Sequence, residues 1–191
     1  GEAAVVVLAA LIFHLIVLVA FKLGAFLVLS VLESEGGGSR LSSLGGLAKR
    51  EPFLAVSMFV FMISLAGVPP LAGFMSKLLV IMGIVNVALG DMGDAITTGS
   101  EFGLSDVHWV WWLAFAMIIN SAISVYYYLR IGVVMFFEEA EPGSEGPLPN
   151  GWQVRFAILA CLLGTLFIGV ASDKLIEICT VAAESFNYNW T

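Results

Sequence analysis

The chain has 191 residues, 60% of them hydrophobic and 12% charged, with a mean hydropathy of +0.99. A soluble domain is near half apolar and a quarter charged, so this is an integral membrane protein with room for about four crossings. A net charge of −7, from 15 acidic and 8 basic residues with no basic run, excludes nucleic acid as a partner.

Residues 3–32 form the first predicted span, in which His14 and Lys22 are the only ionisable side chains. Residues 33–51 read as a polar Gly/Ser-rich connection that ends in Lys49, Arg50 and Glu51, and Pro52 suits the first turn of a new helix. Residues 53–89 are apolar apart from Lys77 and a few Ser and Asn, and are interrupted at 67–73 by Gly67, Pro69, Pro70 and Gly73. As one straight helix this stretch would be about 55 Å long, too much for a bilayer; as a hairpin its arms would be short. The loop before it carries Arg40, Lys49 and Arg50, whereas residues 91–106 form an acidic loop without Lys or Arg. Basic residues mark one side of a membrane, which favours a single crossing by one discontinuous helix over a hairpin. Residues 107–137 make the next span, entered through a Trp belt (Trp109, Trp111, Trp112) and left through Tyr126, Tyr127, Tyr128 and Arg130. His108, beside that belt, receives no role. An acidic loop with Glu138, Glu139, Glu141 and Glu145 leads to the last span, 152–170, and 171–191 read as an amphipathic interfacial tail. The expected fold class is all-α: one polytopic membrane helix bundle of about four transmembrane segments, one of them broken at the Pro-Pro pair.

The candidate chemistry is cationic. Lys22 lies well inside its span, too far from either end for its four-carbon stem to reach headgroups easily, and a charge there costs a few kcal/mol. Such a residue faces a wet or polar interior on an ion pathway, or is tied to a carbonyl for packing alone. Lys77 follows Gly73 by about one helical turn, where a broken helix leaves backbone groups that only protein or water can satisfy. Its simpler reading is a lysine on a kinked helix that reaches an interface. Buried lysine suits proton relay, because its charge is readily switched by its surroundings. His14, two turns before Lys22, is either a relay group or a packing histidine. Arg130 marks either a pathway end or an interface anchor. No Asp or Glu lies within a span, so any carboxylate partner comes from a loop end or another chain. Cys161 and Cys179 read as small apolar fillers. The chain has no phosphate loop, nucleophile constellation, metal-ligand cluster or haem or iron–sulfur ligand set, so no cofactor is expected on it.

The string Leu65-Ala-Gly-Val-Pro-Pro-Leu-Ala-Gly-Phe-Met-Ser-Lys77 resembles the signature of the antiporter-like subunits of respiratory complex I, the NADH:quinone oxidoreductase. Phe21-Lys-Leu-Gly-Ala-Phe26, Leu41-Ser-Ser-Leu-Gly-Gly-Leu47 and Ser121-Ala-Ile-Ser-Val-Tyr-Tyr-Tyr-Leu-Arg130 are similar to the type called N in bacteria and 2 in mitochondria. The likeness runs from about residue 11 to residue 178. The family's full subunit has two five-helix repeats, each with one discontinuous helix, and this chain resembles the C-terminal part that includes the second.

The resemblance implies a proton-translocating membrane-arm subunit with a lysine-lined channel and no redox chemistry of its own. The family's discontinuous-helix lysine maps to Lys77. Lys22 resembles a central-axis lysine of the L-type subunits and departs from the N-type pattern. FMN, iron–sulfur clusters and quinone are expected on other subunits. The implied partners are a separate polypeptide carrying the N-terminal half, adjacent antiporter-like and small membrane subunits, and membrane lipid. Gly1 in place of Met would suit a chain imported and trimmed, giving the mitochondrial inner membrane as the expected location and a bacterial plasma membrane as the alternative. A multi-chain cation/proton antiporter, a membrane-bound hydrogenase and a non-conducting structural subunit are the rival readings.

Overall fold

Backbone continuity follows the apolar pattern of the chain closely. The structure, a computed structural model, describes residues 2–34, 40–97, 109–140, 146, 148 and 151–188. Among them are α1 (Glu2–Glu33), a 3₁₀ turn (Leu41–Leu44), α2 (Leu47–Arg50), α3 (Pro52–Ala66), α4 (Ala72–Thr97), α5 (Trp109–Phe137), α6 (Trp152–Val170) and α7 (Asp173–Tyr188). The described residues contain no strand, so the protein is an all-helical membrane bundle. Among the described residues three helices are long and apolar enough to cross a membrane: Ala4–Glu33, Trp111–Phe137 and Trp152–Val170.

The pair α3 and α4 completes the bundle. Gly24 of α1 lies against the Phe61 ring of α3, His14 meets Ser76 of α4, and Val7 lies beside Gly83 farther along α4. Partners of descending number on α1 thus have ascending numbers through α3 and then α4. A hairpin would turn this order back at residues 67–71. The two helices therefore run head to tail in one direction, antiparallel to α1, as one discontinuous helix.

Helix α1 is the hub and packs against α3, α4, α6 and α7, while α5 covers α3 and α4. Its buried stripe, Phe13, Val17, Phe21 and Val28, has the spacing of one helix face and joins Leu54, Met58 and Phe61 of α3 in the core. Between helices in lipid the attraction is mainly van der Waals packing, so close approach matters more than apolar area. Gly24 supplies that approach, because a Cβ there would collide with the Phe61 ring.

Three segments differ from the sequence-based expectation. Helix α4 continues to Thr97, through Asp91 and Asp94, where the span was expected to end at 89 and an acidic loop to follow. No Pro interrupts residues 72–97, and the Ala and Met among 88–97 are good helix formers. The connection 33–51 is not wholly polar coil: it contains the 3₁₀ turn and α2, and its Leu44 and Leu47 enter the core. The tail is a helix, α7, that packs along α1 and buries Cys179 and Ala183, so its apolar stripe has a protein partner. The rest of the acidic loop, His108, Glu141, Glu145 and residues 189–191 lie outside the described residues.

Candidate functional site at the broken helix

The break is built from its ends inward. Pro52 opens α3 at a position where a missing N–H is harmless. At the other end Gly67 takes the left-handed conformation, φ 85°. Its N–H donates to the Ser64 carbonyl at 3.0 Å, and the Val68 N–H donates to Ile63 at 3.1 Å. This Schellman arrangement satisfies two of the last carbonyls of α3 and leaves those of Leu65 and Ala66.

Lys77 takes both. Its Nζ donates to the Leu65 carbonyl at 2.8 Å, to the Ala66 carbonyl at 3.1 Å and to Ser121 Oγ of α5 at 3.1 Å. An ammonium has three donors, and each has an acceptor here. The cation also sits at the negative end of the α3 dipole. Gly67 makes the reach possible, since a Cβ there would lie 3.1 Å from Lys77 Cδ.

On the α4 side, the Gly73 N–H donates to Ser64 Oγ at 3.2 Å, and a Cβ on Gly73 would collide with the Ser64 carbonyl. Pro69 and Pro70 have no N–H to satisfy, and the peptide between them is cis. Gly169 of α6 backs onto the break. A Cβ there would stand 2.7 Å from the Pro70 oxygen and 2.8 Å from the Ala72 nitrogen.

Ser76 links the break to α1. Its hydroxyl donates to the Gly73 carbonyl at 3.1 Å, and His14 Nδ1 lies 3.0 Å from the same Oγ. A hydroxyl has one proton, so Nδ1–H as donor is the assignment that satisfies both contacts, leaving Nε2 as an acceptor. A cavity of about 230 Å³ adjoins this network. His14, Lys22, Lys77, Asn120, Ser121 and Tyr128 are among its lining residues. One water takes about 30 Å³ in the liquid, so the space suits a short hydrogen-bonded chain of waters.

The structure thus gathers His14, Lys22 and Lys77 around one space and sets Gly67, Pro69, Pro70 and Gly73 directly behind Lys77. Arg130 stands apart, exposed on α5 and away from the cavity wall. Reasoning from the sequence gave no role to Ser64, Ser76, Ser121, Ser124, Asn120 or Gly169. A signal did exist for part of this set. Asn120, Ser121, Ser124, Tyr127 and Tyr128 repeat at three- and four-residue steps, a polar stripe on an otherwise apolar helix. Ser124 itself donates to the Ser121 carbonyl at 2.6 Å. Gly169 had no such signal, since only the approach of another helix gives it a task.

A head-to-tail broken helix whose half-helix end is capped by a lysine, set in a bundle of apolar helices, defines the class: a polytopic helical membrane protein with a discontinuous helix. Residues 3–102 match the family model described as NADH:quinone oxidoreductase/Mrp antiporter, transmembrane, and the chain belongs to that family. It is 39% identical over 162 residues to NADH-quinone oxidoreductase subunit N of Chloroflexus aggregans, covering 84% of this chain and 28% of that protein. Against subunit N 2 of Aquifex aeolicus the identity is 32% over 184 residues, with coverages of 96% and 33%. The chain therefore spans about a third of the length of these curated relatives. Among solved structures, respiratory complex I from Thermus thermophilus with bound aureothin shares the fold with a TM-score of 0.64 at 28% identity, over 89% of this chain and 34% of that one. The Mrp complex from Dietzia sp. shares it with a TM-score of 0.68 at 24% identity, over 92% and 37%.

Proposed function

We propose that this chain is the C-terminal part of a proton-translocating membrane-arm subunit of a respiratory NADH:quinone oxidoreductase, and that Lys77, His14 and Lys22 line part of its proton channel. The observation that carries this reading is the double duty of Lys77. The same amine caps the end of α3 and opens onto the cavity with His14 and Lys22.

A proton leaving Lys77 changes more than charge. The neutral amine has two N–H donors and one lone pair, so one of its three bonds must reverse. The two carbonyls can only accept, whereas the Ser121 hydroxyl can donate. The Ser121 bond is therefore the one that turns round, and the α3 terminus loses its cation. Proton exchange at Lys77 is thereby tied to how firmly the halves of the broken helix are held. Ser76 and His14 extend the network toward α1, where Nε2 can accept from water.

FMN, iron–sulfur clusters and quinone would be held on other subunits, and a companion polypeptide would supply the remaining spans. The relatives named above are bacterial, which supports a bacterial plasma membrane; the mitochondrial inner membrane expected from the sequence has no support among them. Substituting Lys77→Ala in the assembled complex should lower proton pumping per electron while NADH oxidation and assembly persist. Unchanged pumping would remove Lys77 from the channel. A multi-chain antiporter is the alternative reading, favoured by the shared fold with the Mrp complex. Co-purification with NADH-oxidising, quinone-reducing activity separates the two.

A further inference from the structure

One face of α1 has no partner among the described residues, and it is not a plain lipid face. Leu11, Leu15, Val19, Lys22 and Phe26 are all exposed and fall within about 80° of the helix circumference. Phe26 is 66% exposed and Val19 is 63% exposed, so the apolar residues flanking Lys22 stand fully outward. Lys22 lies only about 7 Å along the axis from the midpoint of α1, deep within a hydrocarbon core of about 30 Å. Among the described residues it makes no hydrogen bond or ion pair. The cavity it borders already contains Lys77, and no Asp or Glu lines that cavity. Two cations therefore share one small space without a counter-charge, which a bilayer does not supply at that depth.

We infer that the Leu15–Val19–Lys22–Phe26 face of α1 is the docking surface for a membrane helix of a second polypeptide, and that this helix brings an aspartate or glutamate opposite Lys22. Three observations converge on this occupant. The chain spans about a third of its relatives' length, and in the proposed reading the remaining helices lie on a companion polypeptide. The face mixes large apolar anchors with one cation, which fits a transmembrane helix carrying one acid rather than lipid tails or a second copy of α1, whose own lysine would repel it. Finally, the face is continuous with the cavity through Lys22, so a helix seated there would also close the mouth. The inference rests on the reading that another polypeptide completes the subunit; it does not require that Lys77 conduct.

A photoreactive phenylalanine analogue at position 19 or 26, in the intact membrane complex, tests the surface without touching Lys22. The expected result is an adduct from both positions to one spanning peptide of another polypeptide that contains an Asp or Glu, and none to that peptide from position 167 on α6. Adducts to lipid alone, to this same chain, or to peptides lacking an acidic residue would overturn the proposal. Charge reversal by Lys22→Glu should reduce recovery of the crosslinked partner at least about tenfold, and exchanging the partner's acid for lysine should restore it. Recovery unaffected by Lys22→Glu would remove the ion pair. Crosslinking as expected, with pumping unchanged in Lys77→Ala, would retain this surface and discard the channel reading; lipid adducts with pumping lost would do the reverse.

Discussion

In the proposed reading Lys77 joins two tasks, capping α3 and exchanging protons, that are separable by substitution. Replacing it with Met keeps length and removes both donors and charge, leaving the Leu65 and Ala66 carbonyls unpaired at about 1–3 kcal/mol each. The expected outcome is lower thermal stability of the complex together with reduced pumping. Lys77→Arg retains a permanent cation that can cap α3 but does not release its proton in the working range. It should assemble normally and pump poorly, a contrast visible when assembly is followed on native gels and pumping in proteoliposomes. Ser121→Ala removes the one acceptor of Lys77 that can also donate. Pumping should fall while the capping bonds persist, and Ser121→Thr, which keeps the hydroxyl, should restore it.

At the scale of the element, the broken helix survives through glycine at two close approaches. Gly73 abuts the Ser64 carbonyl and Gly169 abuts the Pro70–Ala72 backbone, and both neighbours are main chain that cannot swing aside. Gly73→Ala and Gly169→Val should each cost more than about 2 kcal/mol through overpacking, read as loss of the folded subunit from detergent-solubilised complex. Gly164 has open space around it, so Gly164→Ala should be silent in the same assay. Much of this element was legible beforehand: Pro52, Gly67 and the Pro-Pro pair mark a helix start, a stop and a break. The single crossing needed coordinates, because the order of contacts along α1 rules out the hairpin that residues 53–89 also allow.

For the whole molecule, polar contacts at one end of the bundle tie distant segments together. Arg155 of α6 pairs with Glu51 at 2.9 Å, and the Arg50 guanidinium donates to the Gly146 carbonyl. The Arg155 side chain is 45% exposed but that of Glu51 only 12%, so Arg155→Ala, which leaves the carboxylate without this partner, should cost about 1–3 kcal/mol and leave assembly intact. A loss of assembly would mean that the pair is shielded within the complex.

The sequence by itself determined the class and the membrane setting, because a continuous apolar surface and punctuation by Pro and Gly are local properties of the chain. It also singled out Lys22 and Lys77, since a charge in an apolar run is conspicuous without any partner. Tertiary structure decided what those residues touch. That Lys77 caps α3, that His14 meets Ser76, and that Ser121 joins them from another helix all depend on how helices far apart in the chain pack side by side. The same reason hid Gly169 and the buried Leu44 and Leu47: close packing is a relation between surfaces, and no single stretch of residues records it.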